Sequence, residues 1–133
     1  MPSVVADTHA LVWYEEASPR LSPAALAAMQ SAAGSGGQVY VSSVSMVEIA
    51  YLIEKGRLAA DMFDRILQVL QQPGSDLAEI TFTVAMAETL RRIPSSIVPD
   101  MPDRMIAATA LYLNLPLVTA DARLQVAPLV TIW

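Results

Sequence analysis

Short apolar runs that end on an acid constrain this chain more than any other feature of it. Ser3-Val4-Val5-Ala6 runs into Asp7, and Pro116-Leu117-Val118-Thr119 runs through Ala120 into Asp121. Runs of this length, rich in β-branched residues and bounded by capping or turn residues, read as strands buried on both faces. If the two are neighbouring parallel strands, their carboxyl ends share one rim. That rim is where open α/β sheets bind ligands.

Helical segments alternate with the strands. A strand is expected over 3–6 and a helix over 9–16. A second helix starts with Ser22 as N-cap and Pro23 at its first position, and Gly34-Ser35-Gly36-Gly37 ends it. A strand over 38–42 follows. Apolar residues at helical spacing from Val44 to Lys55, closed by Gly56, and from Met62 to Leu70, stopped by Pro73-Gly74, form a helical hairpin. Next come a strand over 78–82, a helix over 83–92, a loop over 94–99, a helix from Met105 to Asn114, and strands over 116–119 and 129–133. Without repeats or low-complexity linkers, this order gives a parallel α/β sandwich. At 133 residues the chain is expected to be a single domain over 1–133.

Composition narrows the chemistry. There is no Cys and one His, so thiolate zinc sites, cysteine nucleophiles and His-rich metal cages are excluded. The start carries no basic, long-apolar leader, and no apolar stretch approaches the ~20 residues of a membrane span, so a cytoplasmic protein is expected. The net charge is −5, and the basic residues are scattered along the chain. Strong non-specific affinity for nucleic acid is not expected, although a metal-loaded acidic pocket is locally electropositive whatever the global balance. A hydrophobic fraction of 54% leaves surplus apolar surface, which suggests partners.

Two further acids fall at element junctions: Glu48 in Val44-Ser45-Met46-Val47-Glu48-Ile49, and Asp103 ahead of the helix at Met105. Each acid has a plain structural reading. Asp7 and Asp121 could cap helices, Asp103 could favour a helix dipole in a first turn, and Ser45-x-x-Glu48 matches a capping box. Gathered on one rim, the four carboxylates would instead call for Mg²⁺ or Mn²⁺, which oxygen ligands suit.

The wording around these acids resembles the PIN-domain ribonucleases, and in particular the VapC-type toxins of type II toxin–antitoxin pairs. Asp7-Thr8-His9-Ala10-Leu11-Val12-Trp13 matches the D-T-H-A-L-x-W opening of a subgroup. The likeness continues through Pro19–Ala24, Val41–Ala50, Asp100–Leu111 and Leu115–Asp121 to the end of the chain. Val47 stands where that subgroup commonly has Trp, and Met101-Pro102 where the family more often has Pro followed by an apolar residue.

The resemblance implies a PIN-like three-layer α/β/α sandwich with a central parallel sheet of about five strands. It implies a metal-dependent endoribonuclease, with Asp7, Glu48, Asp103 and Asp121 as catalytic residues and as ligands of one or two Mg²⁺ or Mn²⁺ ions. Such ions orient and activate water for in-line attack on phosphorus, leaving 5′-phosphate and 3′-hydroxyl ends. It also implies an RNA substrate, a small antitoxin partner and a homodimer. The apolar residues Met46, Ile49, Ile53, Phe63, Ile66 and Leu67 of the hairpin are candidate partner contacts. Auxiliary candidates are Asp100, which matches the first acid of the family's D-P-x-D-R segment, Thr119 as a carboxylate or water partner, Arg104 as a phosphate-steadying group, and His9 at the substrate edge.

Rival chemistry fits less well. An aspartyl phosphatase wants a second Asp at position 9, which is His, and a phospho-receiver wants a late Lys, whereas the chain's one Lys is Lys55. A catalytically silent PIN-like module that only binds an antitoxin is the alternative from another class, and metal-dependent RNA cleavage separates it from the nuclease.

Overall fold

The computed structural model describes residues 3–133. Five strands, β1 (Val4–Ala6), β2 (Val39–Ser42), β3 (Leu77–Ile80), β4 (Leu117–Val118) and β5 (Thr131–Ile132), form one sheet in the order β3-β2-β1-β4-β5. Every pairing is parallel, with Val4 opposite Val39, Ala6 opposite Val118, and Leu117 opposite Thr131. Seven helices connect and cover it: α1 (Thr8–Glu15), α2 (Pro23–Gly34), α3 (Ser43–Glu54), α4 (Met62–Gln71), α5 (Val84–Leu90), α6 (Met101–Leu113) and α7 (Ala122–Gln125). Among the described residues no helix is long and apolar enough to cross a membrane.

Strand alternation divides the core in two and makes the molecule a three-layer α/β/α sandwich. Val4, Ala6, Val39, Val41 and Val118 face α1, α2 and α4, while Val5, Tyr40 and Leu117 face α6 and its neighbours. Helix α3 lies at the sheet's rim, sending Ile49 into the first core and Val44 towards the second. Because β1 is paired with β2 on one side and β4 on the other, the chain leaves it where the strand order reverses, and Asp7 is the first residue out.

Several boundaries differ from the sequence reading. Helix α6 begins at Met101, four residues before the expected Met105, because Asp100 caps it and Pro102 occupies its first turn, where a missing N–H costs nothing. Helix α3 begins at Ser43 with Ser42 as its cap. Ser45 is therefore inside the helix and fully buried, so Ser45-x-x-Glu48 is not a capping box. The one-turn helix α7 has no counterpart in the sequence reading. The hairpin residues proposed as partner contacts mostly serve the chain's own core: Ile49 and Ile66 are fully buried, and Met46, Ile53 and Phe63 pack against them. The large apolar side chains that α3 does expose are Val47 and Tyr51.

Helices α1, α3 and α6 end alike, in paired bonds that turn the chain through a left-handed residue. After α1 the Ser18 N–H donates to Trp13 O and the Ala17 N–H to Tyr14 O; after α3 the Arg57 N–H donates to Leu52 O and the Gly56 N–H to Ile53 O. The turning residue is Gly56 (φ 69°) after α3 and Asn114 (φ 55°) after α6, both usual there, but Ala17 (φ 52°) after α1. A Cβ in that region costs about 1 kcal/mol or more. Ala17→Gly should therefore stabilise the protein by ~0.5–1 kcal/mol, allowing for glycine's larger unfolded-state entropy. Chemical denaturation measures this, and equal or lower stability of the variant would contradict the assigned turn.

Candidate active site

Six acids line one cleft of about 1110 Å³ at the carboxyl ends of the strands: Glu16 from the end of α1, and the five candidates Asp7, Glu48, Asp100, Asp103 and Asp121. Each candidate arrives on a different local device. Asp7 leaves β1 in extended conformation and caps α1, its Oδ1 accepting from the Ala10 N–H at 2.9 Å. Asp100 caps α6, its Oδ2 accepting from the Asp103 N–H at 3.1 Å, and Asp103 lies in that helix's first turn. Asp121 caps α7, its Oδ1 accepting from the Arg123 N–H at 2.8 Å. Capping and site chemistry are thus not alternatives here, since a carboxylate that spends one oxygen on a helix amide keeps the other for the cleft.

Glu48 is not a cap. It projects from the middle of α3, and its Oε1 lies 2.5 Å from the hydroxyl of Thr8. Thr8 is buried, and its Oγ1 is also 3.0 Å from the Ser45 hydroxyl. Thr8 has one proton and an ionised carboxylate can only accept, so that proton belongs to Glu48 and Ser45 donates in turn to Thr8. The first turn of α1 and the third residue of α3 are tied together by this relay, which aims the glutamate.

Glu48, Asp100 and Asp103 each offer an oxygen within 4.8 Å of the others, the tightest acid grouping among the described residues. Asp100, only an auxiliary candidate from sequence, thereby stands in the closest group. Asp7 and Asp121 occupy the same cleft, and the hydroxyl of buried Thr119 accepts the Asp121 N–H at 3.0 Å while its influence draws the Asp7 carboxyl down.

Electrostatics follow from the crowding. Burial raises Asp103 first, the charges of Asp100, Asp121, Glu48 and Asp7 add to it, and together they push its carboxyl up to about 7. Asp7 is also raised, chiefly by burial, against the pull of Thr119 and the Ala10 amide. Such a site disfavours its own ionised state and favours a bound cation, and an all-oxygen donor set fits a hard divalent ion.

The remaining candidates divide. His9 lines the cleft, its ring 5.7 Å from that of Trp13. Arg104 does not join it: the guanidinium donates to the carbonyls of Ile93 at 2.9 Å and Leu90 at 3.3 Å, tying α6 to the end of α5. Arg104, expected to steady a phosphate, is thus engaged by the carbonyl of Leu90 at the end of α5 and that of Ile93 just beyond it, and does not line the cleft.

A family model described as PIN domain matches residues 4–128. The chain belongs to the PIN-domain family. Its likeness is to VapC-type members: it is 34% identical over 125 residues to Ribonuclease VapC22 of Mycobacterium tuberculosis, covering 94% of this chain and 92% of that protein. Two solved structures share the PIN backbone. One is VapBC2 from Rickettsia felis bound to a DNA fragment from their promoter, with a TM-score of 0.71, 16% identity, and 97% and 96% of the two chains covered. The other is FitAcB from Neisseria gonorrhoeae, with a TM-score of 0.60, 19% identity, and 96% and 95% covered.

Sequence reasoning missed Thr8 and Ser45 as the support of Glu48. Their partners lie 40 and 37 residues apart along the chain, and nothing local to either segment announces a contact of that range. Thr8→Val should cost ~1–3 kcal/mol in denaturant unfolding by leaving a buried hydroxyl without its partner, and Thr8→Ser should restore most of it. Equal stability of Thr8→Val and the parent would remove the relay from the account.

The raised carboxyls also set a pH dependence. Between the ordinary carboxylate range and about 7, the folded state holds a proton on Asp103 that the unfolded chain releases, and the raised Asp7 carboxyl acts in the same direction. Metal-free stability should therefore fall as pH rises through that window and level off above it. Melting temperatures in chelator from pH 5 to 8 should drop by several degrees, and Asp103→Asn should flatten the profile. A stability that rises over this range in the parent would contradict the assignment.

Proposed function

We propose that this PIN domain, as a single unit over 1–133, is a Mg²⁺- or Mn²⁺-dependent endoribonuclease acting as the toxin of a toxin–antitoxin pair. One observation carries the reading: carboxylates from separate elements converge on a single cleft, where burial and the neighbouring charges push the Asp103 carboxyl up to about 7. Whole-length similarity to a protein named as a ribonuclease supports the reaction class. Two structures of assemblies on the same fold, VapBC2 and FitAcB, support a small antitoxin as partner. A homodimer and a cytoplasmic setting complete the proposal.

In this reading Glu48, Asp100 and Asp103 would hold the ion, with Asp7 and Asp121 contributing directly or through water. The bound ion would supply Lewis acidity at phosphorus and a low-pKa water. The chain's own residues do the rest. Thr8 fixes the Glu48 carboxylate so that its position does not depend on the ligand. Thr119 holds the Asp121 backbone, and the Ala10 N–H holds the Asp7 carboxylate. Their geometry is thus set before the substrate arrives, which lowers the reorganisation needed at reaction. Water attacks in line with the departing 3′-oxygen, and the products carry 5′-phosphate and 3′-hydroxyl ends.

Two substitutions test this with little risk to folding, because the amides keep the hydrogen-bonding reach of the acids they replace. Asp7→Asn can still accept from Ala10, and Glu48→Gln can still accept from Thr8. Each should lower RNA cleavage at least a hundredfold while remaining folded, and Mg²⁺ should raise the melting temperature of the parent more than that of either variant. Cleaved RNA from the parent should ligate only through 5′-phosphate ends. Full cleavage by Glu48→Gln, or equal metal stabilisation of all three proteins, would refute the assigned site.

A further inference from the structure

The cleft is not uniformly acidic. Arg20 and Arg57 line it together with the carboxylates, and both are exposed. Among the described residues neither guanidinium makes a hydrogen bond or an ion pair, whereas most of the chain's other cations are engaged. Arg65 lies 3.7 Å from Glu15, Arg91 lies 3.1 Å from Glu88, Arg104 holds two carbonyls, and Lys55 lies over the Tyr51 ring. Arg92 and Arg123 are not among the residues lining the cleft.

Both arginines hang from the same kind of anchor. Arg57 follows Gly56 in the left-handed closure of α3, its own N–H bonded to Leu52 O at 2.9 Å, and the next residue, Leu58, packs on the core. Arg20 lies just beyond the left-handed closure of α1, its N–H donating to the Ser18 hydroxyl at 3.2 Å, and the next residue, Leu21, is buried. The backbone at each arginine is therefore fixed while its side chain stays free. Among the described residues, these two uncommitted guanidinium groups are the only Lys or Arg side chains that line the acidic cleft and so stand ready to meet a polyanion entering it.

Such a polyanion needs them. The cleft is lined by six acids, Asp7, Glu16, Glu48, Asp100, Asp103 and Asp121, against these two arginines. A divalent ion offsets charge at the bond to be cut, but the phosphates on either side of it still face carboxylates. The guanidinium fork matches a phosphate in shape and charge.

We propose that Arg20 and Arg57 are the substrate-backbone site of this enzyme, binding phosphates of a single-stranded RNA that flank the scissile one. The inference rests on the ribonuclease reading above. It makes the two arginines binding residues that act through affinity and not through the chemical step. Because they contact backbone and not bases, they serve any sequence, and the choice of RNA lies elsewhere in the cleft.

The test measures binding of a short fluorescein-labelled single-stranded RNA of mixed sequence by anisotropy in Mg²⁺. The Asp103→Asn protein is used so that bound RNA stays intact. In that background Arg20→Gln and Arg57→Gln should each weaken binding about fivefold, and the pair more than either. The slope of log affinity against log salt, taken between about 50 and 200 mM, should fall by about 0.7 for each arginine removed. Arg57→Lys should keep the slope and part of the affinity. In otherwise parental protein the Gln variants should raise KM severalfold and change kcat less than twofold. Unchanged affinity and slope in both Gln variants would overturn the inference while leaving the ribonuclease reading intact, even if those variants weaken a protein partner. If parental protein cleaves no RNA and the Asp103→Asn protein binds none, the ribonuclease reading and the inference fall together.

Discussion

Like charges crowded at the carboxyl rim of a parallel sheet are the constraint around which this molecule is arranged. Carboxylates about 5 Å apart repel by roughly 3 kcal/mol per pair at an effective dielectric near 20, and Glu48, Asp100 and Asp103 lie at or inside that spacing. The fold answers with donors placed before any ligand arrives. Asp7 and Asp100 accept N–H groups in the first turns of α1 and α6, where helix dipoles favour negative charge. Glu48 receives the Thr8 hydroxyl. Where these donors fall short, the site holds a proton instead, as the raised Asp103 carboxyl records.

The capping interactions explain why structural and chemical readings of the same acids coincide. An acid at a strand-to-helix junction satisfies an orphan amide of the helix and also stands on the rim where a parallel sheet presents ligands. A junction Asp can serve both ends at once, whereas Glu48, coming from inside a helix, needs a dedicated partner from another element. That partner is the residue immediately after Asp7, so one short segment, Asp7-Thr8, supplies a carboxylate and positions a second.

What the sequence disclosed follows the range of the interactions involved. The strands before Asp7 and Asp121, the Ser22-Pro23 helix start and the Gly56 closure are local signals, and the structure carries each of them. The fold class was legible from their alternation. The start of α6 lies four residues ahead of the expected Met105, since the Asp100 cap lets Pro102 sit in the first turn. Ser45 and Glu48 imitated a capping box because the three-residue spacing that suits a cap also puts two side chains on neighbouring positions of one helix face. The contact of Thr8 with Glu48, the release of Arg104 to the end of α5, and the free arginines on the rim all depend on segments brought together only by the finished fold, and no local pattern encodes them.

The central claim is that these carboxylates form a divalent-cation site, and anomalous scattering from crystals grown with Mn²⁺ tests it most directly. The account predicts an anomalous peak within coordination distance of the Glu48 and Asp103 carboxylates in the parent, and its loss in crystals of Asp103→Asn. A fully occupied peak elsewhere on the molecule, or an equal peak in both crystals, would contradict it.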